Sequence, residues 1–154
     1  MADYYTHISF VWEDEPKVIN FAFDFLDWLL DKNHENNIDF QKIFDASPAL
    51  RNAIEDDALS LGLESDREGG ELWFTDYQCE HVDIEALAEF ICGILEHFDI
   101  DEPVAFEYAN TCSKPRLDAY GGGAIICHKT GAKYCNSYDF IRKTVGHIKE
   151  HGSI

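Results

Sequence analysis

Thirty acidic residues against twelve basic ones give this 154-residue chain a formal net charge of −18, with 45% apolar and 14% aromatic residues. A disordered acidic tail would be poor in aromatics, and that class is excluded. Direct binders of a nucleic-acid backbone or an anionic membrane carry basic surfaces, and those classes are excluded with it.

The elements follow in chain order. Residues 4–12 alternate, with Thr6, Ile8, Phe10 and Trp12 on one face, which predicts a strand. Glu13-Asp14-Glu15-Pro16 is a helix start, and the helix is predicted over 16–32. Its polar stripe is Asn20, Asp24, Asp27 and Asp31, and almost every other position is apolar. That arc is wider than one core face requires. Either a second helix covers it, or it forms a homodimer contact through this first helix.

Residues 33–47 read as irregular, with a short helix at 40–44. Ser47-Pro48 then caps and opens a helix to about residue 55. Leu59, Leu61 and Leu63 alternate, as do Leu72 and Phe74, and Asp66-Arg67-Glu68-Gly69-Gly70 between them predicts a hairpin. Asp83 caps a helix over 84–98, where Ile84, Leu87, Ala88, Ile91 and Leu95 recur at helical spacing. A strand is predicted from Val104, an irregular stretch over 111–122, and a strand over 123–129. A turn at Thr130-Gly131 leads to a short strand near Tyr134, and Ser137 caps a last helix over 138–150.

The order predicts a single α+β domain over residues 1–154. Its core would be a ferredoxin-like βαββαβ antiparallel sheet, with a helical insertion and an extra C-terminal strand and helix. No segment approaches the roughly 18–20 apolar residues of a membrane span, and the N-terminus does not read as a signal peptide. Five cysteines without a C-x-x-C pair read as free thiols in a reducing cytoplasm.

Charge is uneven. Residues 1–110 hold 27 acidic and 5 basic side chains, a net of −22, and residues 111–154 hold 3 and 7, a net of +4. The basic third either packs against its own acidic body or meets a different partner. Carboxylates at Asp24, Asp27, Asp31, Glu55, Asp56 and Asp57 are the candidate partner-binding residues. Ranked carboxylates imitate a phosphate backbone and fit a basic surface on a host protein; a solvated face that keeps the chain soluble is the alternative.

The segment 112–123 is the candidate ligand site. Ser113, Lys114, Arg116 and Asp118 supply polar and charged groups, Tyr120 a ring to stack on, and Gly121 and Gly122 access to backbone N–H groups. It lacks P-loop and dinucleotide-binding spacing, and a rigid turn is the competing reading. Cys79-Glu80-His81 and Cys127-His128 hold metal-ligand types without two proper half-sites, so no metal or cofactor is expected. No nucleophile signature appears, no catalytic residue is assigned, and Glu107 reads as a solvent-facing strand residue.

The string C-S-K-P-R-L-D-A-Y-G-G-G-A at 112–124 resembles a family of small bacterial proteins of phages, plasmids and genomic islands. The resemblance extends to A-D-Y-Y-T-H-I-S-F at 2–10 and V-D-I-E-A-L-A-E-F-I at 82–91. It implies a mobile-element setting with an anti-defence or host-takeover role, and carries over no catalytic residue. The leading expectation is thus a non-enzymatic acidic interaction protein. A small domain acting on an anionic molecule through 112–123 is the alternative.

Overall fold

The first strand, β1 (Tyr4–Glu13), sits inside a six-stranded antiparallel sheet of order β2-β3-β1-β4-β5-β6. The computed structural model describes residues 4–31, 35–56, 62–66, 69–75, 82–112 and 121–154, without the side chains of 4, 62–66 and 112. The other strands are β2 (Gly62–Asp66), β3 (Glu71–Thr75), β4 (Val104–Cys112), β5 (Gly121–His128) and β6 (Gly131–Asn136). The helices are α1 (Pro16–Leu30), α2 (Ile38–Asp45), α3 (Pro48–Glu55), α4 (Ile84–His97) and α5 (Ser137–His151). The expected α+β class and antiparallel sheet are present. The whole-sheet order differs from a four-stranded ferredoxin-like sheet, because β5 and β6 extend the β4 edge.

The alternation in β1 decides which side of the sheet is dry. Thr6, Ile8 and Trp12 are buried, while His7, Ser9 and Val11 are exposed. Pairing of Trp12 with Leu72 and Phe10 with Phe74 carries the same face onto β3. On β4 and β5 it continues as Phe106, Ile125 and Cys127. Helix α1 packs on this face at β3, and α4 packs at β5 and β6. The helices bury Val18, Ile19, Ala22, Phe25, Leu26 and Leu29 from α1, and Leu87, Phe90, Ile91, Ile94 and Leu95 from α4. Among the described residues, the opposite face exposes His7, Ser9, Val11, Trp73, Ala105 and Glu107 on β1, β3 and β4.

The wide apolar arc of α1 is accounted for within the chain. Phe40 of α2 packs on Phe21, Phe25 and Trp28 at 5.0, 5.1 and 5.7 Å between ring centroids. Phe44 meets Trp28 at 6.2 Å, and Phe90 of α4 meets Phe25 at 5.4 Å. Helix α2 is longer than expected, because Asn37 caps it by accepting from the Phe40 N–H. A homodimer through α1 loses its basis, since a second helix covers the arc.

The helix ends are built by local polar chemistry. Ser47 and Asp83 act as the expected N-caps of α3 and α4, accepting from the Leu50 and Ala86 N–H groups. The cap of α5 is Asn136, one residue before the expected Ser137. Helix α4 closes with Asp99 at φ +52. The Ile100 N–H reaches the Leu95 carbonyl at 2.9 Å, and the Asp99 N–H reaches Glu96 at 3.1 Å. These are the paired bonds of a Schellman ending, with Asp in the usual Gly place. Lys129, in the β5–β6 turn, then binds Asp99 at 2.8 Å and Asp101 at 2.5 Å.

Phe25 has no exposed surface and rings on four sides, so Phe25→Ala should cost about 3–5 kcal/mol of stability. Phe140 on α5 is exposed, and Phe140→Ala should change monomer stability by no more than about 0.5 kcal/mol. Urea unfolding of both variants under dilute conditions checks the contrast.

Candidate functional site

The carboxylate residues are set by helical geometry. Asp24, Asp27 and Asp31 are exposed on the face of α1 that turns away from the core. They span about 10 Å along the axis at the usual rise per residue. The buried arc behind them holds the stripe rigidly. Glu55 and Asp56 lie at the end of α3, both exposed, and Asp57 lies outside the described residues. The structure therefore presents two carboxylate groups on separate helices.

Their placement along those helices is informative. Asp31 is the C-cap of α1, its N–H bonded to the Asp27 carbonyl, and Asp56 is the C-cap of α3. Neither helix has an acidic residue in its first turn or a basic one in its last. The other three helices carry charges of the favourable sign at both ends, alongside Asp45, Glu96 and Glu150 in their last turns. Helices α2, α4 and α5 carry Asp39, Glu85 and Asp139 in the first turn, and Lys42, His97 and Lys149 in the last. A helix C-terminus carries partial negative charge, so carboxylates there cost stability. Helix stability therefore does not account for Asp27, Asp31, Glu55 and Asp56.

The second candidate is revised in part. Ser113, Lys114, Arg116, Asp118 and Tyr120 lie outside the described residues. Gly121 and Gly122 are not loop residues: they pair with Asn110 and Ala109 as the first residues of β5. A Cβ on Gly122 would collide with the Tyr108 carbonyl, and one on Gly123 with the Cys135 carbonyl. The glycines let β4, β5 and β6 approach closely at this end of the sheet. The Gly122 N–H is also engaged, donating to Ser137 Oγ at 3.2 Å.

A groove of about 850 Å³ borders these glycines on the open sheet face, between the strands and the first turn of α5. His7, Glu107, Ser137 and Phe140 line it. His7 Nε2 lies 2.7 Å from Thr111 Oγ1, and Glu107 is exposed, as expected of a solvent-facing strand residue. Tyr108 beside it has its phenol raised above the ordinary value, mainly by burial.

The pairing of two cysteines could not be read from the sequence. Cys92 on α4 and Cys127 on β5 share a hydrogen bond across the helix–sheet interface. It favours the Cys92 thiolate, lowering that thiol from 9.0 to about 7, and with burial it pushes the Cys127 thiol up. Cys92 lines a cleft of about 490 Å³ with Ser47, Glu89 and His97. Glu89 accepts from the Ser47 hydroxyl, and the His97 ring is stacked on Phe21 at 4.6 Å. Those partners are structural.

Among the described residues no group of three or more metal-ligating side chains comes together, and Cys79, Glu80 and His81 lie outside them. No described helix is long and apolar enough to cross a membrane. No family model, curated protein or solved structure matches the chain.

Gly122→Ala should destabilise the protein by about 1–3 kcal/mol through overpacking, read as a lower denaturation midpoint. Alkylation of Cys92 should follow its thiolate, rising as pH climbs through about 7. Cys127→Ala removes the S–H donor and should move that midpoint upward toward 9.0, as followed by mass spectrometry of the labelled peptide.

Proposed function

We propose that the protein is a non-enzymatic acidic interaction protein whose α1 and α3 carboxylates bind a basic surface on a host protein. One observation carries this reading: Asp27, Asp31, Glu55 and Asp56 stand exposed at helix C-termini, where they oppose the helix dipole. Lys and Arg side chains of a partner would relieve that opposition on binding. A surface built to receive nucleic acid has such side chains at phosphate-like spacing, so the favoured partner is a protein that handles DNA or RNA. In this reading the carboxylates replace phosphates, as in a nucleic-acid mimic confined to one face.

The resemblance at residues 112–124 supports a mobile-element setting, phage or plasmid, in which the chain blocks a host function in the cytoplasm. We read β2-β3-β1-β4 with α1 and α4 as a ferredoxin-like unit, to which α2–α3, β5–β6 and α5 are added. On that unit the α1 stripe lies on the solvent side of the helical layer.

Asp27→Lys/Asp31→Lys gives two readouts of opposite sign. Thermal stability should rise, by about 0.3–1 kcal/mol per site, because cations suit a helix C-terminus. Partner capture should fall at least about tenfold. Pulldown with the full chain from a bacterial lysate, across a salt series, checks the second arm, and wild-type capture should weaken steeply with salt. Capture that persists unchanged at high salt, or in the variant, refutes the proposal.

A further inference from the structure

Helix α5 is the element that the fold leaves without a core. None of its fifteen residues is buried. Phe140 is 63% exposed and Ile141 60%, and Val145 and Ile148 are exposed with them. Ile141, Val145 and Ile148 fall at i, i+4 and i+7, a single apolar stripe with Tyr138 one turn before it. Arg142 and Lys149 flank that stripe. A helix of this length is marginal alone in water, so an apolar stripe this exposed is unfinished packing.

The open face of the sheet is unfinished in a matching way. Val11 and Trp73 pair across β1 and β3 and are 49% and 39% exposed. Ala105 and Ala109 continue the face onto β4 as small exposed side chains. Ala109 borders the groove that Phe140 of the same chain lines, and Val11 and Trp73 stay exposed beyond it. The face's exposed charges nearby are carboxylates, Glu13 and Glu107. The helix offers an apolar stripe bordered by cations; the sheet offers Val11, Trp73 and small side chains with the anions Glu13 and Glu107 among them. Helix α5 leaves β6 without an intervening residue, which ties its start to the sheet edge.

We infer that two copies of the chain dimerise by each laying the Ile141/Val145/Ile148 stripe of α5 on the open β3-β1-β4 face of the other. The occupant is a second copy because the two surfaces complement each other in polarity and charge and belong to the same chain. Such pairing is reciprocal and closes on itself. A helix of fifteen residues is about 22 Å long, longer than the roughly 10 Å between the outer two of three strands spaced about 4.8 Å apart. Repulsion between two bodies of −18 is met locally, because the docking element is the basic one and physiological salt screens charge beyond about 8 Å. This surface is independent of the α1 and α3 carboxylates.

Sedimentation equilibrium of the full chain tests the pairing. Wild type should dimerise, and Ile141→Asp/Val145→Asp should raise the dimer Kd at least about tenfold. The substituted side chains are exposed, so the monomer fold should hold, as circular dichroism will report. Arg142→Glu/Lys149→Glu and Glu13→Lys/Glu107→Lys should each weaken the dimer, and mixing those two variants should restore both contacts, one native and one charge-reversed. A monomeric wild type overturns the inference and leaves the stripe to another occupant. A dimer that survives Ile141→Asp/Val145→Asp, or that ignores the Glu13/Glu107 reversal, overturns it as well.

Discussion

Phe10 lies between Phe74 and Phe106, with ring centroids 4.6 and 4.5 Å away and planes within 9° of parallel. This three-ring stack crosses β3, β1 and β4 and fixes their register. Strand side chains alternate, so a slip of one residue would turn Ile8, Trp12, Leu72 and Phe74 toward water. Each ring pair adds about 0.5–1.5 kcal/mol beyond the burial itself. The register in turn determines where α1 and α4 find an apolar surface and where the sheet stays open. Both candidate interaction surfaces inherit their positions from it: the carboxylates from the outward side of α1, and the bare strip from the far side of the sheet.

Local chemistry was legible in the sequence where a single element carries it. The β1 alternation, the Ser47 and Asp83 caps and the α4 periodicity each rest on a few neighbouring residues. What depends on distant chain segments was not. The width of the α1 arc left two explanations open until Phe40 of α2 was seen against it. Gly121 and Gly122 read as irregular because Gly signals both turns and close approach, and the atoms that crowd Gly122 belong to Tyr108 on another strand. Asn136 and Ser137 are both good caps, so one residue of error was built into the choice. The partnership of Cys92 with Cys127 has no local signal at all. For the candidate site, helical spacing was enough to place Asp24, Asp27 and Asp31 on one face. The conflict of Asp27 and Asp31 with the helix dipole emerged only when the C-cap was located.

The split between a −22 body and a +4 tail also resolves into parts. Lys129 is spent internally: its ammonium joins Asp99 and Asp101, stays protonated well above the ordinary range, and holds Asp101 below it. That contact tethers the β5–β6 turn to the loop after α4. Helix α5 behaves differently. Among the described residues its ion pairs are internal, Arg142 to Asp139 and His151 to Glu150. The tail thus contains one clamp onto its own body and one basic element that does not use that body.

Those two facts bear on how an acidic chain could act on a basic partner. The α1 carboxylates lie on the outer side of the helical layer, and α5 borders the opposite face of the sheet. Pairing through α5 would leave both α1 stripes uncovered and carry them on one rigid particle. A single stripe of three carboxylates is a weak electrostatic contact in physiological salt, because exposed ion pairs contribute little individually. Two stripes at a fixed separation change that. Once one is engaged, the second meets its site at high effective concentration, provided the partner's basic patches match the spacing. Selectivity would then come from geometry between stripes rather than from the strength of either one. That is how a carboxylate surface with few specific contacts could still choose among the many basic proteins of a cell.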